Sequence, residues 1–105
     1  ILVLAESIRW IEAERDYARI HTRRGTYLVR STMAALERQL EPFDFLRIHR
    51  RVIAPARSVR SVTGSRGGRV TASLEDGTAL PVGRSYLSRP KAVLAPRGTG
   101  PAPRP

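Results

Sequence analysis

Between Phe45 and Val62 the chain reads FLRIHRRVIAPARSVRSV, with five arginines (Arg47, Arg50, Arg51, Arg57, Arg60), one histidine (His49) and no acidic residue. Leu46, Ile48, Val52, Ile53, Val59 and Val62 are threaded among the cations. Aliphatic side chains leave water on folding, whereas guanidinium groups stay at the surface unless they are paired. Any fold of this segment must bury its aliphatics and present its arginines outward as a group. Such a group needs anions, and the neighbouring sequence supplies almost none. A polyanion is the natural partner.

The charge of the rest of the chain sharpens this. Residues 1–44 balance seven arginines against seven carboxylates. Residues 45–105 set twelve basic groups against two acidic ones, Glu75 and Asp76, and so account for the whole formal charge of +10. This asymmetry favours an interaction face over a merely soluble surface. The arginine bias itself, eighteen to a single lysine, fits bidentate contacts but is also what a GC-rich genome produces. A chain of 105 residues is one domain able to bury a modest core. The absence of cysteine excludes disulfides and thiolate metal sites and permits a reducing compartment. No apolar run approaches the roughly 18–20 residues of a membrane span, so no membrane association is expected. Ile1–Ala5 is too short for a signal peptide, and the lack of an initiator Met is the expectation for a segment of a longer protein.

Hydropathy patterning predicts a mainly β fold. Ile1–Leu4 reads as a truncated strand, and Ile8–Glu12 as a strand with Ile8 and Trp10 on one face and Arg9 and Ile11 on the other. Ala13–Asp16 is a charged break. Tyr17–Thr22 and Thr26–Arg30 form a hairpin across Arg23-Arg24-Gly25, where Gly25 accepts positive φ. The period then changes. Ser31 or Thr32 can cap a helix over about 31–40 that stacks Met33, Leu36 and Leu40 on one face, and Pro42 ends it. Leu46–His49 reads as a short strand; the alternation fails at Arg50-Arg51, a turn or brief helix, and Pro55 precludes a long central strand. Val59–Thr63, Arg69–Leu74 and Thr78–Val82 are strands joined by Gly64–Gly68 and by the favoured Asp-Gly turn at Glu75–Gly77. Ser85 caps a short helical segment over Tyr86–Leu94, weakened by Pro90. Residues 1–94 form the folded domain, and the Pro/Gly-rich 95–105 is expected to be a disordered tail.

Several pieces coincide in order and spacing: IRWIEAE at 8–14 followed by Tyr17, STMAALERQL at 31–40, Phe45-x-Arg47-Ile48-His49-Arg50, VRSV at 59–62, and LPVGRSYL at 80–87. Together they resemble the LytTR family, the DNA-binding output domain of many bacterial response regulators. The resemblance covers about residues 6–94. It implies an elongated bundle of small antiparallel β-sheets with little helix, binding duplex DNA through loops that enter successive major grooves. It also implies a cytoplasmic transcription regulator, monomeric when free and paired on direct repeats of DNA. A receiver or sensor domain would precede this one. Two positions depart from the family pattern. Ala54-Pro55 stands where Val-Asn is common, and Gly83 stands where Ser is favoured.

Carried over by position, three loops should meet DNA. The first holds Asp16, Tyr17 and Ala18, with Arg15 and Arg19 beside them; the second centres on Arg50 and Arg51; the third on Gly83, Arg84 and Ser85. Arg50, Arg51 and Arg84 are the foremost candidates, because a guanidinium fork meets guanine O6 and N7 together or clasps a phosphate. Arg47, Arg57 and Arg60 are expected at the flank or on phosphate, the commoner kind of contact. His49, inside a strand, reads as a hydrogen-bonded structural residue, and His21 is assigned no role. Glu12, Glu14 and Asp16 lack a partnered nucleophile, so they are read as partners of Arg9, Arg15 and Arg19, or Asp16 as an acceptor for a cytosine amino group. No catalysis, metal or cofactor is expected: two histidines without cysteine do not make a metal set, and neither GxxxxGK[ST] nor GxGxxG occurs. Gly64-Ser65-Arg66-Gly67 matches a GxxG loop only superficially, since strands and not helices flank it. The rival readings are a basic protein-interaction module docking an acidic partner and an RNA-binding β-domain.

Overall fold

The structure, a computed structural model, describes residues 3–94. The tail expected over 95–105 lies outside the described residues, as do Ile1 and Leu2. Eight strands in two antiparallel sheets and two short α-helices make up the described residues, in the order β1 (Ile8–Glu14), β2 (Tyr17–Thr22), β3 (Gly25–Arg30), α1 (Met33–Leu40), β4 (Phe45–His49), β5 (Val52–Pro55), β6 (Val59–Gly64), β7 (Val70–Leu74), β8 (Ala79–Val82) and α2 (Ser88–Leu94). The first sheet runs β3-β2-β1-β5-β4 and the second β6-β7-β8. The molecule is elongated, 49 × 31 × 23 Å along its principal axes.

Local chemistry explains most of these elements. Thr32 caps α1, its Oγ1 accepting from the Ala35 amide at 3.0 Å, and Met33, Leu36 and Leu40 are buried at the expected spacing. Burying each such side chain is worth about 1.5–3 kcal/mol. The β2–β3 turn is organised by the buried Thr22, whose Oγ1 donates to the Gly25 carbonyl at 2.8 Å and accepts from the Arg24 amide. At the β7–β8 turn Asp76 Oδ1 accepts from the Thr78 amide, and Gly77 takes φ 92°. Pro90 falls in the first turn of α2, where its missing N–H has no helical partner to lose.

Three expectations are corrected. The opening segment is no strand where it is described: Val3 and Leu4 lead into a single 3-10 turn, Ala5–Ser7. In β1 a register shift between Ile8 and Trp10 breaks the alternation, so Ile8 and Ile11 share one core while Trp10 packs against the other. The third correction is a strand the patterning did not show. Val52–Pro55 is β5, flanked by β1 and β4 and buried at every position. With both faces covered, a strand has no polar face to alternate with, so VIAP carries no period.

The two faces of β5 belong to two cores. Ile53 lies with Ile8, Ile11, Ile20, Leu36 and Phe45 under α1, whereas Val52 and Ala54 lie with Ile48, Val59, Leu74 and Leu80 between the sheets. One short strand thus joins the helix-covered core to the core between the sheets. No helix among the described residues is long and apolar enough to cross a membrane.

Candidate nucleic-acid interface

Strand directions decide which turns become neighbours. Because β1 runs antiparallel to β5, with Glu12 opposite Val52, the β1–β2 turn at Arg15-Asp16 meets the β4–β5 turn at Arg50-Arg51. Two hydrogen bonds join them: the Ala13 amide donates to the Arg51 carbonyl at 2.8 Å, and Arg51 Nη2 donates to the Ala13 carbonyl at 3.0 Å. The end of β8 reaches the same place. Gly83 donates its amide to the Ile48 carbonyl at 2.8 Å. A Cβ on Gly83 would lie 3.2 Å from Tyr86 Cδ2, so glycine leaves room for the Tyr86 ring, and the backbone of His49 lies in ordinary contact at 3.7 Å. The three loops expected from sequence are therefore contiguous at one end of the molecule.

The residues within them differ in availability. Asp16, Tyr17, Arg50, Arg51, Arg84 and Ser85 are exposed, whereas Ala18 is fully buried in β2 and so does not face outward with them. Tyr17 is 42% exposed, high for so large a ring. Arg15, in the β1–β2 turn, takes φ 57°, a left-handed conformation that a side chain adopts only at some cost. Arg50 and Arg84 have no carboxylate partner among the described residues. Arg19 is half-buried and pairs with Glu14, Nε to Oε1 at 2.6 Å. Pro55, at the far end of β5 from the Arg50-Arg51 turn, leaves that turn's backbone untouched.

Arg47 is the most constrained of the predicted site residues. Its side chain is 17% exposed and faces α1, where Nη1 donates to Glu37 Oε1 at 3.3 Å. Its Nη2 donates to the Arg50 carbonyl at 2.6 Å, and its guanidinium lies 5.8 Å from the Tyr86 ring centre. Arg89 completes this knot, donating to Glu37 Oε2 at 3.0 Å and to the Arg47 carbonyl at 3.2 Å, with its guanidinium 4.9 Å from the same ring. These contacts fix the carbonyl of Arg50 and so the base of the second loop. Arg57 lies over Phe45 and Arg60 pairs with Glu75, both away from the loops.

His49 holds the same turn from its other side, Nδ1 accepting from the Arg51 amide at 3.1 Å. Burial, and then the charges of Arg50 and Arg51, push its pKa below the ordinary histidine value. The neutral ring that results is the form able to accept that bond. His21, given no role from sequence, stacks on Trp10 with ring centres 3.9 Å apart and donates from Nε2 to Glu12 Oε2 at 2.8 Å. Of the predicted acid partners only Glu14–Arg19 forms; Arg9 instead pairs with Asp76 across the sheets. A period-two pattern cannot reveal these partners, since they depend on which strands become neighbours. No group of three or more His, Cys, Asp or Glu side chains among the described residues could hold a metal ion.

Comparison with known proteins bears on this geometry. Residues 1–95 match the LytTR family model, described as the LytTr DNA-binding domain. The CO-responsive transcriptional regulator RcoM of Rhodospirillum rubrum is 34% identical over 87 residues, covering 82% of this chain and 37% of that protein. The sensory transduction protein LytT of Bacillus cereus is 27% identical over 94 residues, covering 90% of this chain and 38% of that protein. The chain thus spans well under half the length of these relatives. Among solved structures, the LytTr DNA-binding domain of a Bacillus cereus protein superposes with a TM-score of 0.76 at 21% identity, over 90% of this chain and 87% of that one. That likeness establishes the fold.

Proposed function

Because the chain belongs to the LytTR family of DNA-binding domains, we propose that it binds duplex DNA sequence-specifically, as the output domain of a bacterial transcription regulator. The observation that carries this reading is the joining of three loops, with exposed and unpaired Arg50 and Arg84, at one end of a rigid β scaffold. Arg50, Arg51 and Arg84 offer guanidinium forks to guanine edges or phosphates; Asp16 offers an acceptor to a cytosine amino group; Tyr17 and Ser85 offer hydroxyls. Arg19 and Arg47 act differently. Their carboxylate and carbonyl partners make them positioning residues for the first and second loops.

On this reading loop side chains enter successive major grooves on one face of a duplex, and the hydrogen bonds that join the loops support their facing it together. No recognition helix is needed, since α1 is buried along its apolar stripe and only eight residues long. A receiver or sensor domain preceding this one, and side-by-side occupancy of direct repeats, complete the proposal. The short share of the relatives' length leaves room for such a domain.

Selection of bound sites from a random duplex library tests it. Recovery of direct repeats about one helical turn apart, centre to centre, is the expected outcome. Unselective recovery would sink the sequence-reading version, and affinity insensitive to salt would sink duplex binding through arginine altogether.

A further inference from the structure

The second sheet contributes another basic element to the same end of the molecule. In the order β6-β7-β8, antiparallel pairing sets Val70 opposite both Gly64 and Val82. The β6–β7 hairpin tip therefore emerges beside the third loop, while the β7–β8 turn with its acidic pair, Glu75 and Asp76, lies at the far end. The tip reads Gly64-Ser65-Arg66-Gly67-Gly68-Arg69, exposed throughout. It is a closed turn and not a floppy loop: the Ser65 amide donates to the Arg69 carbonyl at 2.8 Å and the Gly68 amide to the Ser65 carbonyl at 3.0 Å. Gly68 takes φ 84°, and a Cβ there would stand 3.2 Å from Arg84 Nη2. The Arg84 guanidinium thus rests on the hairpin through the space that glycine leaves open.

Arg66 and Arg69 belong to this exposed hairpin and Arg84 rests against it, and none of the three has a carboxylate partner among the described residues. Like charges gathered without counter-charges repel one another, and an anion relieves that repulsion. We infer that the Gly64–Arg69 hairpin is a fourth DNA-contacting element, in which Arg66 and Arg69 grip backbone phosphates beside the groove that Arg84 enters. This rests on the duplex-binding reading above and adds to it a contact from outside the three loops. Phosphate is the commoner target of a guanidinium outside the grooves, and besides its two arginines the hairpin offers only the short Ser65. Its contribution is therefore affinity and footprint length, without sequence preference.

The test uses the whole 105-residue chain and two labelled duplexes, one carrying the selected site and one shuffled. The double variant Arg66→Ala/Arg69→Ala should weaken binding to both duplexes by the same factor, on the order of tenfold per arginine at ~0.1 M salt. The slope of log affinity against log salt should shrink by about 1.8, or 0.9 for each phosphate that is no longer neutralised. Arg66→Lys/Arg69→Lys should restore the slope, since a phosphate accepts either cation. A matched pair at the far end, Arg23→Ala/Arg24→Ala, removes the same charge and should leave the slope alone. The inference is overturned if the hairpin variant keeps the parent slope, or if the far-end pair lowers it equally, which would make net charge the only cause. Failure of the parent chain to bind either duplex is a separate result. It would remove the duplex-binding reading and the hairpin's role with it.

Discussion

At one end of the molecule arginines share the surface with Glu6, Glu75 and Asp76; at the other the exposed arginines of the loops stand beside a single exposed carboxylate, Asp16. The first end is built from the Ala5–Ser7 turn, the Arg23-Arg24 turn and the β7–β8 turn. There Arg9 pairs with Asp76 and Arg60 with Glu75, while Arg23 and Arg57 form no ion pair but line a cavity of about 290 Å³ with Glu6, Glu75 and Asp76. The second end holds Arg15-Asp16, Arg50-Arg51, Gly83–Ser85 and the β6–β7 hairpin, where Arg50, Arg66, Arg69 and Arg84 have no acidic partner among the described residues. Similar residues serve opposite purposes. A paired arginine has its charge satisfied within the fold, while an unpaired one in a cluster is satisfied only by something outside it. Net charge favours an anionic partner, and the scarcity of carboxylates around the loops favours that end for it.

The largest effect should come from the residue that joins scaffold to loop. Arg47→Ala removes a partner from Glu37, which keeps Arg89, and from the Arg50 carbonyl, and should cost about 3 kcal/mol in stability, measured by chemical denaturation, at about 1.5 kcal/mol for each of the two charge-assisted hydrogen bonds lost. Duplex binding should weaken as well, as the second loop loses the support at its base. If stability held and only binding fell, Arg47 would touch DNA directly and would not be a positioning residue. Next in size, Arg50→Ala and Arg84→Ala should each cost about 1–3 kcal/mol in affinity for the selected duplex where they read a base. Each should change stability by less than about 0.5 kcal/mol, as exposed substitutions do. Equal losses on selected and shuffled duplexes would reassign either arginine to phosphate.

How much of this contrast was written in the chain itself depends on the range of the interactions involved. The hairpin turns, the Thr32 cap and the Met33–Leu36–Leu40 stripe follow from residues within four positions of one another, and these were legible. The three loops were legible only through the resemblance, which fixes Asp16-Tyr17, Arg50-Arg51 and Arg84 by position. Strand β5 was hidden because burial on both faces erases its period. The outward swing of Arg9 was hidden because a bulge in β1 leaves no local mark. Arg47 looked like one more surface cation, and its inward direction comes from Glu37, ten residues earlier on another element. Which arginines end up beside Glu75 and Asp76 and which beside the loops depends on strand order, the least local property of all.

A smaller effect is expected at the satisfied end. Arg9→Ala should cost about 0–1 kcal/mol in stability, since its pair with Asp76 is exposed and screened. Binding to either duplex should stay at the parent value. A loss of binding comparable to that of Arg84→Ala would break the contrast between the ends, because a paired arginine would then be acting like a free one.

The smallest effect, and the most local to the second loop, should come from pH. Burial and the charges of Arg50 and Arg51 lower the His49 pKa from 6.5, so the folded state holds this ring neutral. Above 6.5 the ring is neutral in folded and unfolded chains alike and stability does not vary on its account. As pH falls below 6.5 the unfolded chain takes up the proton first, and folding stability declines. The decline ends once pH passes the lowered folded-state value, where both forms are protonated. Asparagine carries a carbonyl oxygen near the place of Nδ1, so His49→Asn should keep the acceptor for the Arg51 amide and lose the proton. The difference in stability between parent and His49→Asn, followed by thermal unfolding from about pH 8 to about pH 5, isolates this residue from every other titrating group. It should be flat down to about 6.5 and then move against the parent. A flat difference throughout would mean that His49 is free to protonate in the folded turn, and that the Arg50-Arg51 bend is held by Arg47 and the Ala13 hydrogen bonds alone.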